Sequence, residues 1–327
     1  MLSLLISLNL PDNACKISVF KHTRFRYLKL ATMSNPKYNL NYALNYGLNF
    51  AFNHAYKFIS TALFALILSG CGGGTGFEPV VTGIKAQSLQ YGRTATILIG
   101  GKDLRSSLVV DSAGGCDAPS FASNSSTEVL VLNCTVKRAG DLPLTIKLGN
   151  GEVIYTTTLL VPNPEVTLIT TKGTITAELY PASAPITVNN YLSYVGSGFY
   201  RDILFHRVIA GFVIQAGGYT TGMVKKVNPS AAIQLESNQR LSNVRGTIAM
   251  ARTGVFNSAT SEFYFNLADN LALDYKNAAN PGYAVFGKVV QGLDVVDAIA
   301  SQPTGVINGF ADVPLSDVSI VLAFQTK

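Results

Sequence analysis

One arginine and one glutamine stand in otherwise apolar surroundings: Phe205-His206-Arg207-Val208-Ile209 is followed by Gly211-Phe212-Val213-Ile214-Gln215-Ala216-Gly217-Gly218. Side chains alternate along an extended strand, so Phe205, Arg207 and Ile209 are expected to share one face, a fixed cation on an apolar wall. Such a wall suits a substrate that is itself apolar but carries one amide to be polarised. Taken singly the residues say less. A lone arginine on a strand is most often a surface ion pair, and Phe212, Val213 and Leu273 are types that fill ordinary cores. The other chemistries lack their parts. The three histidines, His22, His54 and His206, have neither cysteines nor paired carboxylates at ligand spacing, so no metal and no cofactor is expected. Gly72-Gly73-Gly74-Thr75-Gly76 has no strand before it and no Lys-Ser or Lys-Thr after it. It reads as a tether, not a phosphate-binding loop.

The elements that must hold Arg207 begin after Val161-Pro162-Asn163-Pro164, where two prolines favour an extended linker. Segments 166–171 and 174–180 alternate around Lys172-Gly173 and predict a hairpin with one buried face. Ala184-Pro185 opens a helix with Val188, Tyr191, Leu192 and Val195 on one side and Gly196 and Gly198 at its end. A second short helix is expected over 293–300. The remainder reads as strand and loop, giving a β-barrel flanked by two helices.

Several separated motifs in this stretch resemble the cyclophilins, the peptidyl-prolyl cis-trans isomerases, over about residues 165–323. They are Thr174-Ile175 with Glu178-Leu179-Tyr180, Ala184-Pro185 with Thr187-Val188-Asn189-Asn190, and the Phe205–Ile209 run after Phe199-Tyr200. Arg245-Gly246-Thr247-Ile248-Ala249-Met250-Ala251-Arg252, Ser258-Ala259-Thr260-Ser261-Glu262-Phe263-Tyr264-Phe265-Asn266 and Tyr283-Ala284-Val285-Phe286-Gly287-Lys288-Val289 are similar to the bacterial branch. The resemblance implies a mainly β fold, a cyclophilin-like antiparallel barrel with two helices. It also implies Arg207 as the catalytic cation and Gln215 as the partner that positions the peptide. Phe212, Val213, Tyr264 and Leu273 would form the proline pocket, Ala251 and Arg252 would border the peptide backbone, and Tyr283 would sit at the rim. His206 is read as mainly structural. Proline-containing polypeptides are the implied partners, bound by a monomer, and the competing reading is a proline-peptide-binding chaperone module with little turnover. The chain departs from the pattern at Ala272, where many relatives carry Trp or Phe, which should open one pocket wall. It departs again at Glu262, a glutamine in many relatives, expected here to pair with an arginine such as Arg252.

Ahead of this domain, residues 78–161 show short β-rich segments at 95–99, 129–132, 142–148 and 153–161, with the hairpin signal Asn150-Gly151 between the last two. A small immunoglobulin-like β-sandwich is expected, with Cys116 and Cys134 paired in an oxidising compartment. Residues 1–70 read as a leader. Its apolar run at 58–68 is too short for a bilayer core needing about 20 residues and fits the core of a secretory signal. Leu68-Ser69-Gly70-Cys71 resembles a bacterial lipobox, with Cys71 lipidated and residues 71–77 forming a tether. Gly72, not Asp, follows the cysteine and implies sorting to the outer membrane, facing the periplasm. Translation starting at Met33 or later would shorten the leader.

Charge agrees with export. The 327 residues carry 25 Lys and Arg against 19 Asp and Glu, yet residues 1–60 alone hold seven of the basic residues and only Asp12 of the acids. The remaining chain is therefore balanced. Nucleic-acid binding, which needs a basic patch on a folded domain, is not expected.

Overall fold

The computed structural model describes residues 78–227 and 229–327, which belong to one compact unit. Cys71, the tether and the leader lie outside the described residues.

The first seven strands are β1 (Val80–Gln87), β2 (Thr94–Lys102), β3 (Val109–Asp111), β4 (Cys116–Phe121), β5 (Val129–Val136), β6 (Gly140–Lys147) and β7 (Val153–Val161). They form two antiparallel sheets, ordered β1-β2-β5-β4 and β3-β6-β7. Strict alternation in β2, β5 and β6 turns Ala95, Ile97, Ile99, Leu130, Leu132, Leu142, Leu144 and Ile146 into one shared core. Cys116 and Cys134 are joined by a disulfide, with their Cα atoms 5.3 Å apart. The bridge ties the neighbouring strands β4 and β5 of one sheet, unlike the bridge between the two sheets that is usual in antibody domains.

The second part runs β8 (Glu165–Thr170), β9 (Gly173–Leu179), helix α1 (Pro185–Gly196), β10 (Ile203–Ile209), β11 (Val213–Ala216), β12 (Tyr219–Thr220) and β13 (Val224–Lys225). It continues with β14 (Thr247–Met250), β15 (Phe263–Asn266), β16 (Val285–Gln291), helix α2 (Leu293–Ala300), β17 (Thr304–Ile307), β18 (Phe310–Pro314) and β19 (Ser319–Gln325). Eight strands close a barrel in the order β10-β11-β15-β14-β16-β9-β8-β19. Its core joins Leu168, Ile175, Leu179, Phe205, Ile214, Ile248, Phe263 and Phe286 to Val188, Tyr191 and Tyr194 of α1 and to Val296 and Ile299 of α2. The N-terminus of α1 has no cap from its own sequence neighbours. Glu236 supplies one from a distance, its carboxylate accepting the backbone N–H of Ile186 (3.1 Å) and of Thr187 (2.7 Å), which satisfies orphan donors and complements the helix dipole.

The two parts touch. Tyr91, in the turn between β1 and β2, is 2% exposed and belongs to the barrel's apolar cluster. Its hydroxyl donates to Asn189 Oδ1 at 3.0 Å, and its carbonyl accepts from Gln325 Nε2 at 2.9 Å.

Candidate active site

A bulge in β10 sets which residues reach the site. Phe205 pairs with Ala216 and Arg207 with Gln215, so two β10 residues oppose one on β11. The extra residue separates side chains that regular alternation would keep together. Phe205 and Val208 both enter the barrel core, whereas Arg207 stands across from Gln215 and is half-buried. Phe205 therefore does not share a face with Arg207, as the spacing alone led one to expect. The apolar wall beside Arg207 comes from other strands.

That wall is a second, smaller cluster. Val213, Ala249, Tyr264 and Val285 are buried in it, with Phe212, Leu241, Ala251, Leu273 and Tyr283 packed against them. Strand pairing explains the assembly: Gln215 faces Tyr264, Tyr264 faces Ala249, and Ala249 faces Val285. The four expected pocket residues, Phe212, Val213, Tyr264 and Leu273, are thus brought together with Tyr283, expected at the rim, and with Ala251 beside them. Ala249 and Val285 were missed, although each lies two residues from a named one and so on the same face. Leu241 carries no comparable signal. Arg252 borders the cluster, its guanidinium 4.6 Å from the centre of the Tyr283 ring and bonded through Nε and Nη2 to the Gly282 carbonyl at 3.0 and 2.9 Å. A side pocket of about 280 Å³ opens next to it, lined by Arg252, Phe256, Ala272, Asp274 and Tyr283 among others. The small Ala272 side chain leaves that opening.

Beneath the apolar floor lies a polar net. Asn243, fully buried, accepts the Tyr264 hydroxyl (2.8 Å) and Asn266 Nδ2 (3.2 Å), and donates through Nδ2 to Asp274 (2.9 Å). Asn270 Nδ2 donates to the Phe212 carbonyl at 2.8 Å, fixing the turn that presents Phe212 and Val213. Burial pushes the Tyr264 hydroxyl well above the ordinary tyrosine range, so it stays protonated and donating. Buried polar groups satisfied in this way rigidify the ring they hold.

Two carboxylates flank the Arg207–Gln215 pair. Gln215 Nε2 donates to Glu262 Oε2 at 2.8 Å, and His206 Nε2 lies 3.4 Å from the same oxygen. Burial alone would push the Glu262 carboxyl up, but the hydrogen bonds from His206 and Gln215 and the charge of Lys225 hold it below the usual glutamate range. Glu262 thus pairs with His206 and Gln215, not with Arg252, whose donors go to backbone carbonyls. The chain approaches closely here, since a Cβ at Gly217 or Gly218 would collide with Ser261 or Glu262. His206 is 6% exposed with its ring 4.7 Å from that of Tyr219. The second carboxylate, Asp312, sits 4.0 Å from Arg207 Nε.

Comparison with known proteins places this geometry. Residues 165–323 match the family described as cyclophilin type peptidyl-prolyl cis-trans isomerase/CLD. A peptidyl-prolyl cis-trans isomerase of Acinetobacter baylyi is 46% identical over 159 residues, which cover 49% of this chain and 84% of that protein. The chain belongs to the cyclophilin-type peptidyl-prolyl cis-trans isomerases. Peptidyl-prolyl cis-trans isomerase B of Escherichia coli is 45% identical over 157 residues, covering 47% of this chain and 95% of that protein. A crystal structure of a Cryptosporidium parvum cyclophilin covers 50% of this chain and 98% of its own, at 24% identity and a TM-score of 0.44. Membership rests on the sequence relatives, and it concerns the barrel. Within this cyclophilin Gln215 links the two parts, pairing across strands with Arg207 on one side and with Tyr264 of the apolar cluster on the other.

Proposed function

We propose that this cyclophilin speeds cis-trans isomerisation of X-Pro bonds in exported polypeptides, with Arg207 as the catalytic group. Rotation about such a bond is slow because conjugation between nitrogen and carbonyl is lost at the twisted state, against a barrier of about 18–20 kcal/mol for a peptide bond. As conjugation vanishes the prolyl nitrogen becomes pyramidal and regains a lone pair. A guanidinium N–H can donate to that lone pair, which the planar amide does not offer. An interaction present only in the twisted state lowers the barrier instead of merely tightening binding. Val213, Phe212, Tyr264 and Leu273 would hold the ring, Gln215 would hold the acyl side, and Ala251, Arg252 and Tyr283 would line the path of the peptide. Reaction by this route needs no nucleophile and no titrating base.

The observation that carries this reading is the pairing of Arg207 with Gln215 beside the Val213–Tyr264 cluster. Arg207→Ala should lower kcat/KM on a short X-Pro peptide by about 10²–10³, the range for loss of a donor to a developing lone pair, with an unchanged melting temperature. Equal activity in both forms would remove Arg207 from the role. A wild-type chain that binds such peptides without turnover would favour a holding module, a use to which the opening at Ala272 also lends itself.

The site of action we assign to the periplasm, with the chain anchored to the outer membrane by lipid on Cys71. The support is the basic leader, the apolar run at 58–68 and Leu68-Ser69-Gly70-Cys71. Cys71→Ala should leave export intact and move the protein from the membrane to the soluble fraction. Retention on the membrane would defeat the anchor.

A further inference from the structure

We propose that Asp312 is a positioning residue for Arg207, its charge drawing the Nε side of the guanidinium so that the terminal nitrogens are presented to the substrate. This rests on the reading of Arg207 given above. Three observations converge on it. Asp312 Oδ2 lies 4.0 Å from Arg207 Nε, an ion-pair contact longer than a hydrogen bond, and among the described residues no protein acceptor is hydrogen-bonded to any nitrogen of the Arg207 guanidinium. The other acid near the pair, Glu262, is committed to Gln215 and His206. Asp312 is therefore the carboxylate left to orient the cation.

The backbone supports that orientation. Asp312 has φ +60° within β18, a left-handed conformation uncommon for residues other than glycine but tolerated by Asp. It falls where the pairing of β17 with β18 slips, between Gly305–Val313 and Ile307–Phe310. The hairpin that carries it is pinned on both sides of Asp312, to β10 of the barrel and to the β12–β13 hairpin. Val313, 2% exposed, packs with Leu204 and Met223, the Phe310 ring lies 5.1 Å from that of Tyr219, and Asn308 Nδ2 donates to the Gly222 carbonyl at 2.9 Å. The carboxylate is thus delivered from a fixed frame to a long, flexible side chain.

Such a pair, with side chains 39% and 43% exposed, adds little to stability. Its effect belongs to the rate, since a donor confined near the reacting nitrogen need not be ordered at the twisted state. Asp312→Asn keeps the shape and the tolerance of a left-handed backbone while removing the charge. In the full chain it should lower kcat by about 3- to 10-fold, leave KM and the melting temperature unchanged, and be partly rescued by Asp312→Glu. In an Arg207→Lys background, which lacks Nε, the same substitution should change nothing further. The Nε–H resonance of Arg207 should exchange faster with solvent in Asp312→Asn. A wild-type kcat in Asp312→Asn, or an equal loss in the Arg207→Lys background, would overturn the role. A wild-type chain without turnover would overturn the isomerase reading instead, and unchanged Nε–H exchange in Asp312→Asn would then dispose of the positioning role separately.

Discussion

On the inner face of β11, β14 and β15, Ile214, Ile248, Phe263 and Phe265 are fully buried among other apolar side chains. On the outer face of the same strands, Gln215, Ala249 and Tyr264 form a wall whose polar atoms are held by Glu262 and Asn243. The inner face is built for density and the outer one for orientation. One strand can serve both because its side chains alternate, and the β10 bulge adjusts which side Arg207 takes. Stability and turnover should therefore separate by face.

The largest effect is expected from breaking the inner face. Phe263 meets Tyr191 and Tyr200 edge-on, each with ring centres 5.3 Å apart. Phe263→Ala should cost about 3–5 kcal/mol, the range for removing a buried aromatic ring, read as a fall in the urea midpoint. Arg207→Ala is the mirror experiment, with turnover lost and the midpoint kept. If Phe263→Ala were harmless to stability, the division of labour between the faces would fail.

Next in size is the disulfide of the sandwich. Cys116 and Cys134 close a loop of 18 residues, and in the chain-entropy picture such a bridge contributes about 3 kcal/mol. Replacing both by Ser should lower the stability of the sandwich by that order while X-Pro turnover persists at temperatures where both parts stay folded. A parallel loss of turnover would mean that Tyr91, which reaches from the sandwich into the barrel's cluster, couples the site to its neighbour.

Much of this was legible in the residues. The helices at 185–196 and 293–300 follow from apolar spacing and the flanking Pro and Gly, whereas the pocket, drawn from separate segments, was legible only through the resemblance that its motifs carry. What escaped had local reasons. The β10 bulge breaks alternation without any glycine or proline at Phe205 or His206 to announce it. Strand β4 carries Pro119 and mostly exposed side chains, so no periodicity marks it. Asn243, Asn266 and Asn270 are polar residues of ordinary turn type, and only closure of the barrel makes them buried partners of Tyr264 and Phe212. Pairing of β16 with β9, far apart in sequence, leaves no trace in either strand alone. The partner of Glu262 depended on the same long-range closure, and so an arginine was named where His206 and Gln215 stand.

The smallest effect tests the outer face through pH. The Glu262 carboxyl is held below its ordinary range in the folded chain, because hydrogen bonds from His206 and Gln215 and the charge of Lys225 outweigh burial. A depressed acid stabilises the fold in its ionised form, so its contribution is complete above the ordinary glutamate range and fades as pH falls through the folded value. The hydroxyl of Tyr219, pushed up by burial and by the charge of Glu262, stays neutral across this window. Glu262→Gln should accordingly be less stable than wild type at pH 6 to 7, and the gap in urea midpoint should narrow steadily as pH falls below the ordinary glutamate range and the folded carboxyl takes up its proton. A gap that persisted unchanged to pH 3 would show that Glu262 acts by packing against Gly217 and Gly218, and the electrostatic part of the outer face would reduce to Arg207 and Asp312.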